Sequence, residues 1–170
     1  MNLKIIVATD ENNGIGKNNT LPWKYSEDLK YFPKKTKGNN DYSNAVIMGR
    51  KTYESIGKPL SGRMNYVLSK TKQENQENLF FFNNYKSLLE SIKIQNFNEV
   101  WIIGGEKIYK LFLDLDIVSE VYVTKIKGNY DCDVFFPLIN SNKNNINKFY
   151  IDKGWPGISS ELEFVVYKHK

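Results

Sequence analysis

The chain has 170 residues, 41% hydrophobic and 25% charged, which fits one domain (residues 1–170) able to bury a core. One cysteine (Cys132) and one histidine (His169, a residue from the C-terminus) exclude an internal disulfide, suit a reducing cytoplasm, and argue against a metal site or a Cys–His dyad. The net charge of +5 is scattered as lysines among asparagines, which disfavours nucleic acid as a partner, and no apolar run is long enough to span a bilayer.

Leu3 to Thr9 is a near-continuous apolar, β-branched run, as expected for a strand buried on both faces. Asp10 to Thr20 is polar with Gly14 and Gly16 and reads as a long loop. Ser26 is placed to N-cap a helix whose first turn holds Glu27 and Asp28. Pro33 removes an amide donor, so this helix is expected to kink or end near Phe32.

Ala45 to Gly49 forms a second buried strand, and Arg50 to Ile56 a short helix closed by Gly57. Asn65 to Ser69 and Leu79 to Phe82 are further strands, and Tyr85 to Ile94 has apolar residues at helical spacing. Val100 to Ile103 is a fifth strand ending in Gly104-Gly105, followed by a helix from Glu106 to Leu113 and a strand from Glu120 to Ile126. A loop spans Lys127 to Pro137, Asn140 to Asn147 is low in complexity and expected to be solvated, and Phe149 to Ile151 and Leu162 to Tyr167 are the last extended stretches. The alternation predicts an α/β fold: a mostly parallel central sheet flanked by helices, with antiparallel strands at the C-terminal end.

Two helix starts follow strand-terminating glycines, Gly49-Arg50-Lys51-Thr52 and Gly104-Gly105-Glu106-Lys107. Free amides at such starts suit a pyrophosphate, and Arg50, Lys51, Ser69 and Lys70 could add a second phosphate site. From spacing alone, purely structural glycines are the more common reading, and solvated charges at strand ends are as good a reading as a phosphate site. Arg63 could grip a carboxylate or lie exposed. Asp28, beside apolar Leu29 and Phe32, could hold a flat cationic ring or cap its own helix.

Taken together, these segments resemble dihydrofolate reductase over nearly the whole chain. The motifs are Gly14-Ile15-Gly16-Lys17-Asn18 with Leu21-Pro22-Trp23, then Val46-Ile47-Met48-Gly49-Arg50-Lys51-Thr52 and Pro59-Leu60-Ser61-Gly62-Arg63. Trp101-Ile102-Ile103-Gly104-Gly105 with Tyr109, and Asp133 with Phe136-Pro137, complete the family order. The resemblance implies reduction of 7,8-dihydrofolate to tetrahydrofolate with NADPH. It makes Asp28 the pterin carboxylate and places Leu21 and Trp23 in a lid that excludes water during the reaction.

It further implies that Ile6 and Ile103 offer carbonyls to the pterin, with Val7 and Thr124 adjoining. Leu29, Phe32, Ser55, Ile56 and Leu60 would line the aminobenzoyl region, and Arg63 would clamp the glutamate tail. Ala8, Ile15, Gly16, Asn19, Thr20, Leu21 and Tyr109 would border the nicotinamide. Gly49 to Thr52 and Gly104 to Ile108, with Glu106 and Lys107, would cradle the pyrophosphate across a cis Gly104–Gly105 bond. Arg50, Leu68, Ser69 and Lys70 would meet the 2′-phosphate.

Three residues depart from the family pattern: Tyr53 in place of tryptophan, Pro33, and Cys132 in place of glycine. A same-fold pyrimidine reductase of riboflavin synthesis and a non-catalytic folate- or dinucleotide-binding module are the competing readings. A monomer is the expected state, and the chain could equally be a domain of a fusion with thymidylate synthase.

Overall fold

The computed structural model describes residues 1–137 and 148–170, so the Asn-rich stretch from Asn140 to Asn147 lies outside the described residues. The elements in chain order are β1 (Leu3–Thr9), β2 (Gly14–Gly16), α1 (Ser26–Lys37), β3 (Asn44–Gly49), α2 (Arg50–Ile56), β4 (Met64–Leu68) and β5 (Leu79–Phe82). They continue with α3 (Tyr85–Gln95), β6 (Glu99–Gly104), α4 (Glu106–Asp114), β7 (Glu120–Ile126), β8 (Val134–Phe135), β9 (Phe149–Pro156) and β10 (Leu162–His169).

Eight strands form one sheet in the order β5-β4-β3-β6-β1-β7-β10-β9. The first six pair in parallel, and β10 runs antiparallel to both β7 and β9, as the alternation predicts. Alternate residues of the central strands build two cores, because successive side chains point to opposite faces. Leu3, Ile5, Ile47 and Ile102 pack beneath α3 and α4 with Leu88, Ile92, Tyr109 and Phe112. Ile6, Val46, Met48, Trp101 and Tyr122 face the other way, toward Tyr31 and Phe32 of α1 and Tyr53 and Ile56 of α2.

Three expectations are corrected. The segment from Asp10 to Thr20 is not a continuous loop, since Gly14–Gly16 pairs with Val134–Phe135. The cause is Asp10, 4% exposed, whose carboxylate accepts from the backbone N–H groups of Asn12, Gly14 and Tyr130 at 2.8 to 3.0 Å. These bonds fold the segment back and tie it to the loop after β7. Gly14 is required there: a Cβ on it would lie 2.5 Å from Cβ and Sγ of Cys132.

Ser26 is the first helical residue of α1 rather than its N-cap; Tyr25 holds that position, with no side-chain cap. Packing of Tyr31 on Phe164, with ring centroids 4.6 Å apart, braces this end of the helix instead. Pro33 does not end α1, which continues to Lys37. The turn beyond the proline is held by tertiary bonds. Fully buried Thr36 donates to the Phe32 carbonyl and accepts from Arg63 Nη1, both at 2.9 Å, while its own carbonyl accepts from Asn44 Nδ2 at 3.1 Å.

Burial opposes ionisation of Asp10, but the three backbone donors and Cys132 outweigh it and hold the carboxyl below its ordinary value of 3.8. A depressed folded-state pKa gives stability that is full above the ordinary value and lost as pH falls through the folded one. Asp10→Ala is therefore expected to cost about 1–3 kcal/mol at neutral pH by orphaning buried donors. In urea unfolding, the gap between wild type and variant should shrink as pH drops below 3.8.

Candidate active site

The parallel strands deliver their carboxyl ends to one edge of the sheet, where ligands bind in open α/β folds. There β3 and β6 are neighbours, with Met48 in register with Gly104, so α2 and α4 begin side by side. The approach is close. A Cβ on Gly49 would lie 3.0 Å from Ile108 Cγ1, and one on Gly104 (φ 118°) would lie 3.1 Å from the Tyr109 hydroxyl. The Gly104–Gly105 peptide is cis. First-turn amides of both helices, including those of Lys51, Thr52, Glu106 and Lys107, therefore share one edge, with partial positive charge and close backbone access for a pyrophosphate.

β4 lies on the far side of β3, with Gly49 in register with Leu68. Arg50 and Ser69–Lys70 thus leave adjacent strand ends, as a second phosphate site requires. Arg50 Nη1 meets Glu54 Oε1 at 2.9 Å, an exposed pair of little intrinsic worth. Ser69 is buried in a turn, its hydroxyl bonded to the backbone of Thr71, and Lys70 is exposed.

On the α1 face, Ile6, Ile103 and Thr124 come from the three central strands β1, β6 and β7, and Val7 lies on the opposite core. The Ile6 carbonyl accepts from Tyr109 Oη at 2.9 Å, and full burial pushes that phenol far up, keeping it a neutral donor. Asp28 stands across from these strands on α1. Burial is the largest influence on its carboxyl and raises its pKa; a hydrogen bond with Thr124 pulls the other way, and the charge of Glu27 adds to the rise. Tyr31, one turn on, is pushed up to about 12 by burial and then by Asp28. Asp28 thus faces Thr124, not the start of its own helix.

α1, α2 and the segment after α2 present apolar side chains to one face of the sheet. Leu29 is 49% exposed, Phe32, Ile56 and Leu60 are half-buried, and Ser55 is exposed at the rim. Arg63 is 5% exposed, which excludes the reading of it as a solvated surface arginine. Its Nε donates to the Ser61 carbonyl and Nη1 to Thr36, while burial lowers its pKa. No acidic side chain pairs with it among the described residues. A buried, doubly anchored guanidinium is preorganised for a carboxylate.

The segment expected to form a lid is tied to α2 and to the loop after β7. Asn18 and Asn19, with φ of 51° and 60°, form the tip of a turn closed by Lys17–Thr20 backbone bonds, an arrangement asparagine tolerates well. Asn18 N–H donates to Asp133 Oδ2 at 3.0 Å, and Ser55 Oγ donates to the Asn19 carbonyl at 2.7 Å, so the segment is held from both sides. Of the two assigned lid residues, Leu21 is 53% exposed, whereas Trp23 is buried and packs edge-on to Tyr130 at 5.3 Å. The buried Trp23 indole N–H has no acceptor among the described residues. Ala8 is in register with Thr124, Ile15 packs against the core beneath α4, and Gly16 is in register with Val134.

Two contributors, Asp10 and Thr36, carry no role predicted from the sequence, and Glu27, expected only to complement the dipole of its own helix, bonds instead to the backbone of Ile158 and Ser159. Asp10 had a signal, an acid just beyond a buried strand at the start of a polar turn, where its carboxylate accepts from the Asn12 N–H two residues on as in an Asx turn. Thr36 had none, because its value depends on Arg63 reaching it from a distant loop.

Comparison with known proteins agrees with this geometry. A family model described as dihydrofolate reductase matches residues 2–157. The chain is 39% identical over 147 residues to a dihydrofolate reductase of Drosophila melanogaster, covering 82% of this chain and 81% of the relative. It is likewise 39% identical over 140 residues to one of Haemophilus influenzae, with the same shares covered. A bifunctional dihydrofolate reductase-thymidylate synthase of Arabidopsis thaliana is 36% identical over 151 residues, and the match spans 82% of this chain and 27% of that protein. Among solved structures, the dihydrofolate reductase of Enterococcus faecalis complexed with NADP(H) and RAB-propyl superposes with a TM-score of 0.83 at 25% identity, covering 99% of this chain and 96% of that one. The chain belongs to the dihydrofolate reductase family.

Proposed function

We propose that this chain, as one domain, reduces 7,8-dihydrofolate to 5,6,7,8-tetrahydrofolate with NADPH, and that Asp28 anchors the pterin. Tetrahydrofolate so formed feeds one-carbon metabolism and thymidylate synthesis. The observation that carries the residue assignment is Asp28 itself: a carboxylate in a mostly apolar cleft, raised in pKa by burial and facing Thr124. Such a group gains most from a ligand that presents adjacent N–H donors to both oxygens. The pterin's N3 and 2-amino group are such a pair, and the Ile6 and Ile103 carbonyls would take remaining donors at the ring's edge.

NADPH fits the adjoining edge, where Gly49 and Gly104 admit the close approach of the two helix starts. Gly49 to Thr52 and Gly105 to Ile108 would hold its pyrophosphate, and Arg50, Ser69 and Lys70 its 2′-phosphate. Ala8, Ile15 and Tyr109, with Gly16, Asn19, Thr20 and Leu21 of the lid, would border the nicotinamide. When bound, NADPH supplies the hydride. The protein's part is to stack the two rings, exclude water with the lid, and bias the substrate toward its protonated form. Asp28 holds one side of the pterin and N5 lies across the ring, so the proton on N5 arrives through water.

Arg63 favours folate over a ribityl-pyrimidine. Its buried guanidinium, bonded to Ser61 and Thr36, matches the glutamate carboxylate that a ribityl-pyrimidine lacks. Phe32, Ile56 and Leu60 would carry the aminobenzoyl ring between Asp28 and Arg63.

Asp28→Asn is expected to lower kcat/KM for dihydrofolate at neutral pH by about 100-fold or more, with NADPH affinity within about twofold of wild type. The same variant should melt higher at neutral pH. An acid whose folded pKa is raised destabilises the fold once pH passes upward through the window between its unfolded and folded values, and asparagine never ionises. Wild-type turnover in Asp28→Asn would remove Asp28 from its role. Arg63→Ala is expected to weaken dihydrofolate binding by about 2–4 kcal/mol, roughly 30- to 1,000-fold, and to leave a pterin without the glutamate nearly unaffected. Equal losses for the two ligands would contradict the clamp.

A further inference from the structure

An acid in the first turn of a helix ordinarily complements that helix's own N-terminal amides. Glu27 does not. Its carboxylate crosses to the turn between β9 and β10, where the Ile158 N–H donates to Oε1 at 2.9 Å and Oε2 at 3.0 Å, and the Ser159 N–H reaches Oε1 at 3.4 Å. The turn is closed on itself by Gly157 N–H to the Leu162 carbonyl at 2.8 Å and Leu162 N–H to the Ser159 carbonyl at 3.2 Å. Gly157 fits closely beneath the acid: a Cβ there would lie 2.7 Å from Glu27 Oε1 and 2.8 Å from Leu162 Cβ.

This turn is continuous with the strand that backs the pterin site. Leu162 is in register with Ile126 and Phe164 with Thr124, so the turn is fixed to the strand pair that carries the partner of Asp28. One helical turn on, Tyr31 lies on Phe164 at 4.6 Å and Trp155 at 6.3 Å. Asp28 sits between these two attachments, on a helix whose N-cap residue Tyr25 offers no side-chain cap.

We infer that Glu27 is a positioning residue for Asp28: by gripping the β9–β10 turn it fixes the first turn of α1 against β7 and β10, so that the carboxylate meets Thr124 and the substrate at a set distance. The inference rests on the reading of Asp28 as the pterin anchor. It also makes Glu27 an electrostatic neighbour. The groups that act on Asp28 are Glu27 on its own helix and the uncharged Thr124 hydroxyl from β7, the Glu27 charge reinforcing the effect of burial, while the Tyr31 phenol one turn on stays protonated and is itself pushed up by Asp28.

The test compares Glu27→Ala, Glu27→Gln and Gly157→Ala with wild type by two measurements. One is kcat/KM for dihydrofolate against pH. The other is titration of the Asp28 carboxyl by carbon-13 NMR in protein without ligands, which reads Asp28 whatever the substrate. Glu27→Ala is expected to lose about tenfold in kcat/KM, mainly through KM for dihydrofolate, with KM for NADPH unchanged. Gly157→Ala, which pushes the acid off the turn without removing it, should reproduce that loss. Glu27→Gln keeps an acceptor oxygen and drops the charge. It should recover most of the activity while moving the Asp28 titration to lower pH, and the acid limb of the rate profile with it. Wild-type profiles and an unmoved Asp28 titration in Glu27→Ala and Glu27→Gln would overturn the inference. Absence of dihydrofolate turnover in the wild type would instead fail the reading of the site, and the NMR titration would still decide whether Glu27 acts on Asp28.

Discussion

A carboxylate kept out of water is the constraint around which this molecule is arranged. Asp28 loses hydration when α1 packs over the central strands, and the resulting rise in its pKa measures that loss. The fold accepts the cost because α1 is held at several places at once: Tyr31 on Phe164 near its start, Phe32 in the core beneath it, and Thr36 at its far end. The far attachment joins Arg63 to the same helix. A single twelve-residue element thus carries a desolvated carboxylate near its start and, through Thr36, holds a desolvated guanidinium near its end. A ligand with donors at one end and an acid at the other satisfies both.

Strands were the most legible part of the sequence. β1, β3, β6 and β7 appear as apolar, β-branched runs stopped by polar residues or glycine, because burial on both faces leaves no alternation to confuse the reading. The C-terminal pair was harder. β9 extends to Pro156 although Phe149 to Ile151 was its only apolar stretch, since edge pairing with β10 needs backbone, not side chains. Pro33 misled for a related reason. A missing amide is a local fact, while the hydrogen bonds that carry α1 past it come from Asn44 and Arg63 on other elements.

Within the site, the glycine turns and Asp28 were visible from their types and neighbours, but the residues that hold them were not. Asp10 and Glu27 act through backbone N–H groups of segments more than a hundred residues away, which no local pattern records. The asparagines were underrated. Asn13, Asn18, Asn19 and Asn96 all adopt positive φ, so part of what reads as compositional bias supplies the left-handed positions of the turns flanking β2 and of the end of α3.

The strand order also governs how the chain can be made. β1, synthesised first, lies in the middle of the sheet between β6 and β7, and Lys4 is paired with Glu99 and Glu120. On the ribosome this strand has no neighbour until β6 has emerged and is not flanked on both sides until β7 has, so its apolar faces stay poorly covered meanwhile. Non-local parallel pairing of this kind is slow and leaves sticky surface exposed. The nascent chain, rather than the finished protein, is then the form most in need of a chaperone.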